Sequence, residues 1–219
     1  MKRINIAIDG PSGAGKSTIA KIIANKLNYI HIDTGAMYRA IALKCLMNKV
    51  SMDNIKMIDE LLSNTNITFD TNGDTYLDSI NISNKIRTNE ISLLASEVSK
   101  LFNVRKFLVL QQQLMSKDKG FILDGRDIGT VVLKDAELKV FLTATSLSRA
   151  KRRYNQNISM NIDSDLETIV KEVEHRDYQD INRVNSPLRQ ADDAILIDSS
   201  KLSITEVVDK ILEMTKGII

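Results

Sequence analysis

Short apolar runs alternate with helix-period stripes along most of this chain. Ile4–Asp9, Tyr29–Asp33, Phe121–Asp124, Leu138–Thr143 and Ala194–Asp198 are brief, β-rich and nearly continuous in apolar character. That is the pattern of strands covered on both faces. Between them the apolar period is near 3.6. Ser17–Leu27 places Ile19, Ile22, Ile23 and Leu27 on one side of a helix. Leu166, Ile169, Val170 and Val173 form a second stripe, and Ile204, Val207, Val208, Ile211 and Leu212 a third. Ser164 with Glu167, and Ser203 with Glu206, have the spacing of a capping box, which predicts where the two late helices begin. Strands alternating with helices in this way predict an α/β fold, a parallel sheet of about five strands joined by right-handed crossovers.

The stretch 65–92 breaks the rhythm. Ile67-Thr68-Phe69-Asp70 and Thr75-Tyr76-Leu77 flank Thr71-Asn72-Gly73-Asp74, which reads as a hairpin with an Asn-Gly turn. It is too small to fold alone and reads as a β-containing insertion packed on the core. One long helix over Asn89–Met115 is predicted to return the chain to the sheet.

Composition narrows the classes. The chain has 219 residues, 43% of them apolar, which suits one α/β domain with insertions. Thirty basic against 28 acidic residues leave a net charge of +2. Neither that balance nor the 5% aromatic content, with no Trp, supports a nucleic-acid partner. Cys45 is the one cysteine, so neither a disulfide framework nor a cysteine zinc site is available, and its apolar surroundings read as core. No apolar run approaches 18 residues, and the chain opens on a strand rather than a signal segment. A cytoplasmic protein without a membrane partner is the expectation.

The chemistry begins at Gly10-Pro11-Ser12-Gly13-Ala14-Gly15-Lys16-Ser17, followed by Thr18: a complete GxxxxGK[ST] loop between a strand and a helix. Glycines let the backbone turn its N–H groups onto phosphate oxygens, Lys16 reaches the β/γ-phosphates and Ser17 offers a hydroxyl to Mg2+. The Asn-Lys-x-Asp run that specifies guanine in GTPases is absent. Other segments point to a second substrate. Asp33-Thr34-Gly35-Ala36-Met37-Tyr38-Arg39 starts where the second strand ends, on the ligand edge of such a sheet. Asp124-Gly125-Arg126-Asp127-Ile128-Gly129-Thr130 follows the third strand, with Asp124 placed to hold the water shell of Mg2+. Arg176, Asp180 and Arg183 fall at i, i+4 and i+7, on one helix face. Arg149, Arg152 and Arg153 share another face, ahead of Asn155-Gln156-Asn157, a polar break suited to a mobile lid. Taken singly, each basic cluster also reads as a solvated surface. Phosphoryl transfer would give them a common purpose, because it is catalysed mainly by positioning and by clamping negative charge.

Together these segments resemble the bacterial cytidylate kinase family, over essentially the whole chain. The resemblance implies transfer of the γ-phosphate of ATP to CMP or dCMP, with Mg2+ as cofactor. It implies that Gly10 to Thr18, with Arg149 and Arg153, hold ATP. It places Ser96, Arg105 and Asp127 around cytosine, Arg176 and Asp180 around the sugar, and Thr34, Arg39, Arg126 and Arg183 around the nucleotide and its phosphate. Lys16, Arg126 and Arg183 are the catalytic candidates, and Ser17 and, through water, Asp124 the metal candidates. Ser17 and Thr34 depart mildly from the commonest members, and both keep or add a hydroxyl. The implied layout is one monomeric unit: a core of about 1–33, 116–148 and 186–219, a monophosphate-binding region of about 34–115, and a helical lid of about 149–185. A UMP or AMP kinase, and a nucleotide-switched regulator, remain alternatives at this point.

Overall fold

The computed structural model describes residues 2–70 and 73–219. The chain runs β1 (Ile6–Asp9), α1 (Lys16–Leu27), β2 (Ile30–Asp33), α2 (Thr34–Met47) and α3 (Ile55–Ser63). A small unit follows, of β3 (Ile67–Phe69), β4 (Thr75–Leu77), β5 (Ile80–Asn81) and a 3-10 turn at Lys85–Arg87. Then come α4 (Asn89–Val98), α5 (Phe102–Met115), β6 (Phe121–Gly125), a π-helical turn at Ile128–Val132 and β7 (Leu138–Thr143). The chain finishes with α6 (Ser146–Ser159), α7 (Leu166–Asn182), β8 (Ile195–Asp198) and α8 (Ile204–Lys216).

The main sheet has five strands in the order β2-β6-β1-β7-β8, and every pair is parallel. Alternate residues serve opposite faces, as the pleat requires. Ala7, Ile32 and Leu123 join one core with α2, α4, α5 and the small sheet. Ile6, Ile8, Ile122, Val140 and Leu142 join the other with α1 and α8. The edge strands are less covered than their apolar sequences predict: Ile30 on β2 and Leu196 on β8 are 42% and 56% exposed. Cys45 lies wholly inside the first core.

Several local expectations are corrected. The helix over Asn89–Met115 is two helices. Lys100 and Leu101 N–H bond back three residues, to Glu97 and Val98, and close a turn. Leu101 then takes extended backbone, and Phe102 opens α5 while standing 68% exposed. The small sheet has a third strand, β5, beyond the expected hairpin; Thr71 and Asn72 of the Asn-Gly turn lie outside the described residues. Ile67, Leu77, Ile82 and Ile86 bury it against the first core, consistent with a unit that cannot fold alone. The Ser203–Glu206 capping box is present, but α7 is capped by Asp165, whose carboxylate accepts Thr168 N–H at 2.8 Å. Ser164 is engaged elsewhere, accepting from Asn157 Nδ2 at 2.7 Å. No break occurs at Asn155-Gln156-Asn157, because α6 runs through them.

Candidate active site

The phosphate loop leaves β1 at Gly10, whose φ of +147° and whose contact with Leu142 admit no side chain: a Cβ there would collide with the Leu142 carbonyl oxygen. The loop delivers the chain into α1 at Lys16, so the helix N-terminus and its free N–H groups face the loop, the usual anion-binding arrangement. Lys16 is 6% exposed and donates to the carbonyls of Gly10 and Pro11 at 2.7 and 2.8 Å. Burial, and then the neighbouring Arg126, pull its ammonium down to about 7. Ser17 Oγ donates to Asp124 Oδ2 at 2.7 Å, and His31 Nε2 lies 2.6 Å from Asp124 Oδ1. Burial pushes the Asp124 carboxyl up, but His31, Lys16 and Ser17 outweigh it and hold Asp124 below the usual carboxylate range.

The three arginines of α6 divide by partner. Arg149 is 4% exposed and fully engaged with protein. It donates to the Ala144 carbonyl at 2.8 Å, to the Ser12 carbonyl at 3.0 Å and to both Asp177 oxygens at 3.0 and 2.5 Å. It therefore braces the loop from behind, outside the cleft. Arg152 grips the loop at the Ala14 carbonyl, 3.1 Å away, and the Ser199 carbonyl at 2.6 Å. Arg153 reaches across to Asn89 Oδ1 at 3.3 Å.

The loop forms one side of a cleft of about 900 Å3. Its acceptor wall carries Arg39, Arg126, Arg176 and Arg183. Asp33 caps α2 through Ala36 N–H at 2.9 Å and takes Arg39 with its second oxygen at 2.8 Å. Arg126 Nε donates to Asp180 Oδ2 at 2.7 Å. Thr34 Oγ1 donates to the Asp124 carbonyl at 2.7 Å, and a Cβ at Gly125 would come within 2.7 Å of that same hydroxyl. Among the described residues Arg176 has no hydrogen bond or ion pair; burial, with Arg126 beside it, lowers its guanidinium to about 10.

Deeper in, Asp127 is 5% exposed and is held by Arg105 through a short ion pair and by Arg183 at 3.3 Å. Tyr38 lies beneath, with the Arg105 guanidinium 5.5 Å from its ring centre. Ser96 Oγ stands 3.5 Å from Gln179 Oε1 at the edge of this pocket. Helix α7 ends at Asn182 and Arg183 is its C-cap; its φ of −64° is still helical, so it leaves on the face of Arg176 and Asp180, and all three line the cleft. Arg183 Nε donates to the Ser186 carbonyl at 2.6 Å and its guanidinium turns to Asp127.

With this geometry in place, comparison with known proteins is decisive. The cytidylate kinase family model matches residues 6–217. The chain belongs to the cytidylate kinase family. It is 52% identical to a cytidylate kinase of Caldicellulosiruptor bescii, over 98% of this chain and 96% of that one. It is 48% identical to one of Streptococcus thermophilus, over 100% and 99%. Among solved structures, a shikimate kinase from Bacteroides thetaiotaomicron superposes with a TM-score of 0.51 at 11% identity, covering 98% of this chain and 99% of that one. That likeness concerns the fold alone.

In this cytidylate kinase family member the cleft is also supported by residues that no motif singles out. Tyr38 lies within the Asp33–Arg39 segment, but nothing local distinguishes it from a core tyrosine. Asp9 ends β1 and is 4% exposed. His31 reaches Asp124 only because β2 pairs with β6 in a register that sets Asp33 beside Asp124. Arg152 was noted as one of a basic face, and only the fold shows that it holds the phosphate loop. Each of these contacts is long-range.

Proposed function

We propose that the protein transfers the γ-phosphate of ATP to CMP or dCMP, giving ADP and CDP or dCDP. The observation that carries this reading is one cleft in which Lys16 and the arginine wall face each other while a buried Asp127–Arg105 pair closes the far end. In this reading Gly10 to Thr18 hold the ATP phosphates, with Arg153 over them and Arg149 acting through the loop it braces. Thr34, Arg39, Arg126 and Arg183 surround the acceptor nucleotide and its phosphate, Arg176 and Asp180 the sugar, and Ser96, Arg105 and Asp127 the base. The acceptor phosphate oxygen attacks the γ-phosphorus, the bond to the β,γ-bridging oxygen breaks, and ADP leaves. That oxygen is already anionic at neutral pH, so no carboxylate base is needed. Lys16, Arg126 and Arg183 stabilise charge as it spreads over the transferring group.

The oxygens of Ser17 and Asp124, 2.7 Å apart, are hard donors suited to Mg2+. Among the described residues no group of three or more His, Cys, Asp or Glu could hold a metal, so the remaining ligands would be nucleotide phosphates and water. Bound there, Mg2+ would neutralise phosphate charge. The three-part layout of core, monophosphate-binding region and lid belongs to the same reading. So do action as a monomer, a cytoplasmic setting and the absence of a nucleic-acid partner. No helix among the described residues is long and apolar enough to cross a membrane.

Cytosine offers an N4 amino donor where uracil has an acceptor, so a buried carboxylate favours cytosine. A panel of CMP, dCMP, UMP and AMP in a coupled ADP-release assay tests the reading. CMP and dCMP are expected to lead, and Asp127→Ala to cost CMP turnover far more than ATP binding. Preference for AMP or UMP, or ATP binding without acceptor-dependent ADP release, would overturn it.

A further inference from the structure

Asp9 is the last residue of β1 and directly precedes the phosphate loop. Its carboxylate does not face the cleft. Oδ1 accepts the Ile128 N–H at 2.8 Å and Oδ2 the Gly129 N–H at 2.7 Å. These N–H groups open the π-helical turn at Ile128–Val132, where the turn itself supplies no acceptors. Asp127 sits in the capping position of that turn but provides no side-chain cap. Its carboxylate is directed instead to Arg105 and Arg183. Asp9 thus performs the capping from another strand and leaves Asp127 free to face the pocket.

The joint is tight. A Cβ on Gly129 would lie 3.1 Å from Lys139 Cδ and 3.4 Å from Asp9 Oδ2, so the turn has little room to shift. Asp9 is also tied to the donor side. It adjoins Gly10, whose carbonyl receives Lys16 Nζ. A buried carboxylate is an expensive way to satisfy two backbone donors, since burial raises it to about 6 despite both hydrogen bonds.

We infer that Asp9 is a positioning residue that sets Asp127 and Arg126 in register with the phosphate loop, and thereby sharpens the choice of base. The inference rests on the phosphotransfer reading above.

The test compares wild type with Asp9→Asn, which keeps the shape but turns one acceptor oxygen into a donor facing an N–H. Steady-state kinetics with CMP and with UMP are run at saturating ATP, and ATP affinity is measured separately with a fluorescent ATP analogue. The CMP KM is expected to rise about tenfold or more, and the CMP-over-UMP ratio of kcat/KM to fall by a similar factor, with the nucleotide Kd within about threefold. If Asp9→Asn does not fold, Gly129→Ala disturbs the same joint without touching the charge and is expected to move the same ratio in the same direction. An unchanged CMP-over-UMP ratio in a folded variant, or equal losses for ATP and CMP, would overturn the positioning role. A wild-type protein that forms no ADP with CMP would overturn the phosphotransfer reading itself, before any variant is compared.

Discussion

The phosphate loop is one consecutive run, residues 10–17, whereas the wall opposite is gathered from α2, α4, the end of β6 with the residues after it, and α7. The two halves also hold their cations differently. Lys16 is tethered to carbonyls of its own loop. Arg39, Arg126 and Arg105 are each held by a carboxylate, and Arg105 and Arg126 by one distant in the chain. Local geometry, braced from behind by Arg149 and Arg152, preorganises the donor side, and long-range ion pairs preorganise the acceptor side. The acceptor side therefore relies on remote partners for its cleft-facing side chains themselves, the donor side only for its bracing.

The strongest test of the donor half is Lys16→Met. It is expected to lower kcat about 1000-fold, the loss that follows removal of a preorganised charge at the transferring group. The melting temperature is expected to hold or rise, because the buried ammonium is disfavoured where it sits. Turnover within a few-fold of wild type at saturating substrates would take Lys16 out of the chemistry.

Two arginines then separate substrate contact from scaffold. Arg176 makes no hydrogen bond or ion pair among the described residues, only a longer-range attraction to Asp180, so Arg176→Gln removes little the fold uses. It is expected to cost about 10- to 100-fold in kcat/KM for CMP with little change in ATP Kd or in stability. Arg149→Gln leaves Asp177 and the Ser12 and Ala144 carbonyls without their donor. It is expected to cost about 3 kcal/mol in urea unfolding. Equal stability losses in the two variants would erase the distinction.

This contrast explains what the sequence made legible. The phosphate loop could be read because its pattern is one short run of closely spaced glycines and a lysine. The parallel sheet could be read because buried strands are short and uniformly apolar. The resemblance puts Arg149 beside ATP, but its partner Asp177 lies on another helix, and only the packing of α6 on α7 brings the two together. The i, i+4, i+7 spacing puts Arg176, Asp180 and Arg183 on one face even though α7 ends at Asn182, but it gives no sign that Arg183 turns to Asp127, far away in the chain. Side-chain type announces chemistry, whereas the tertiary partner decides whether that chemistry faces substrate or scaffold.

A smaller effect concerns pH. Asp9 is raised from 3.8 to about 6 on folding, chiefly by burial. The folded protein therefore holds this proton more tightly than the unfolded chain, and stability from this group is lost as pH rises from about 4 to about 6. Asp9→Asn has no such proton. Its unfolding free energy minus that of wild type is expected to shift in favour of the variant by up to about 3 kcal/mol across that window. Taking the difference cancels the other carboxylates, many of which are lowered and act with the opposite sign. A flat difference would mean that Asp9 is no harder to ionise in the fold than out of it.

The smallest effect is the sharpest on local reading, because two identical spacings met different fates. Ser203 and Glu206 form both halves of a capping box: Glu206 N–H to Ser203 Oγ at 3.2 Å, and Ser203 N–H to Glu206 Oε2 at 2.8 Å. Ser164 and Glu167 have the same spacing, but Asp165 is one residue nearer the helix and its carboxylate is the stronger acceptor for the free N–H groups. Ser203→Ala is expected to lower the melting temperature by about 3 °C while leaving CMP kinetics unchanged. Ser164→Ala is expected to stay within about 1 °C, since it loses one part-buried contact with Asn157 and one exposed contact with Ile162 but no helix cap. Equal losses at the two serines would show that spacing alone sets the cap. Unequal ones would show that even a four-residue signal is decided by which neighbour competes for the same donors.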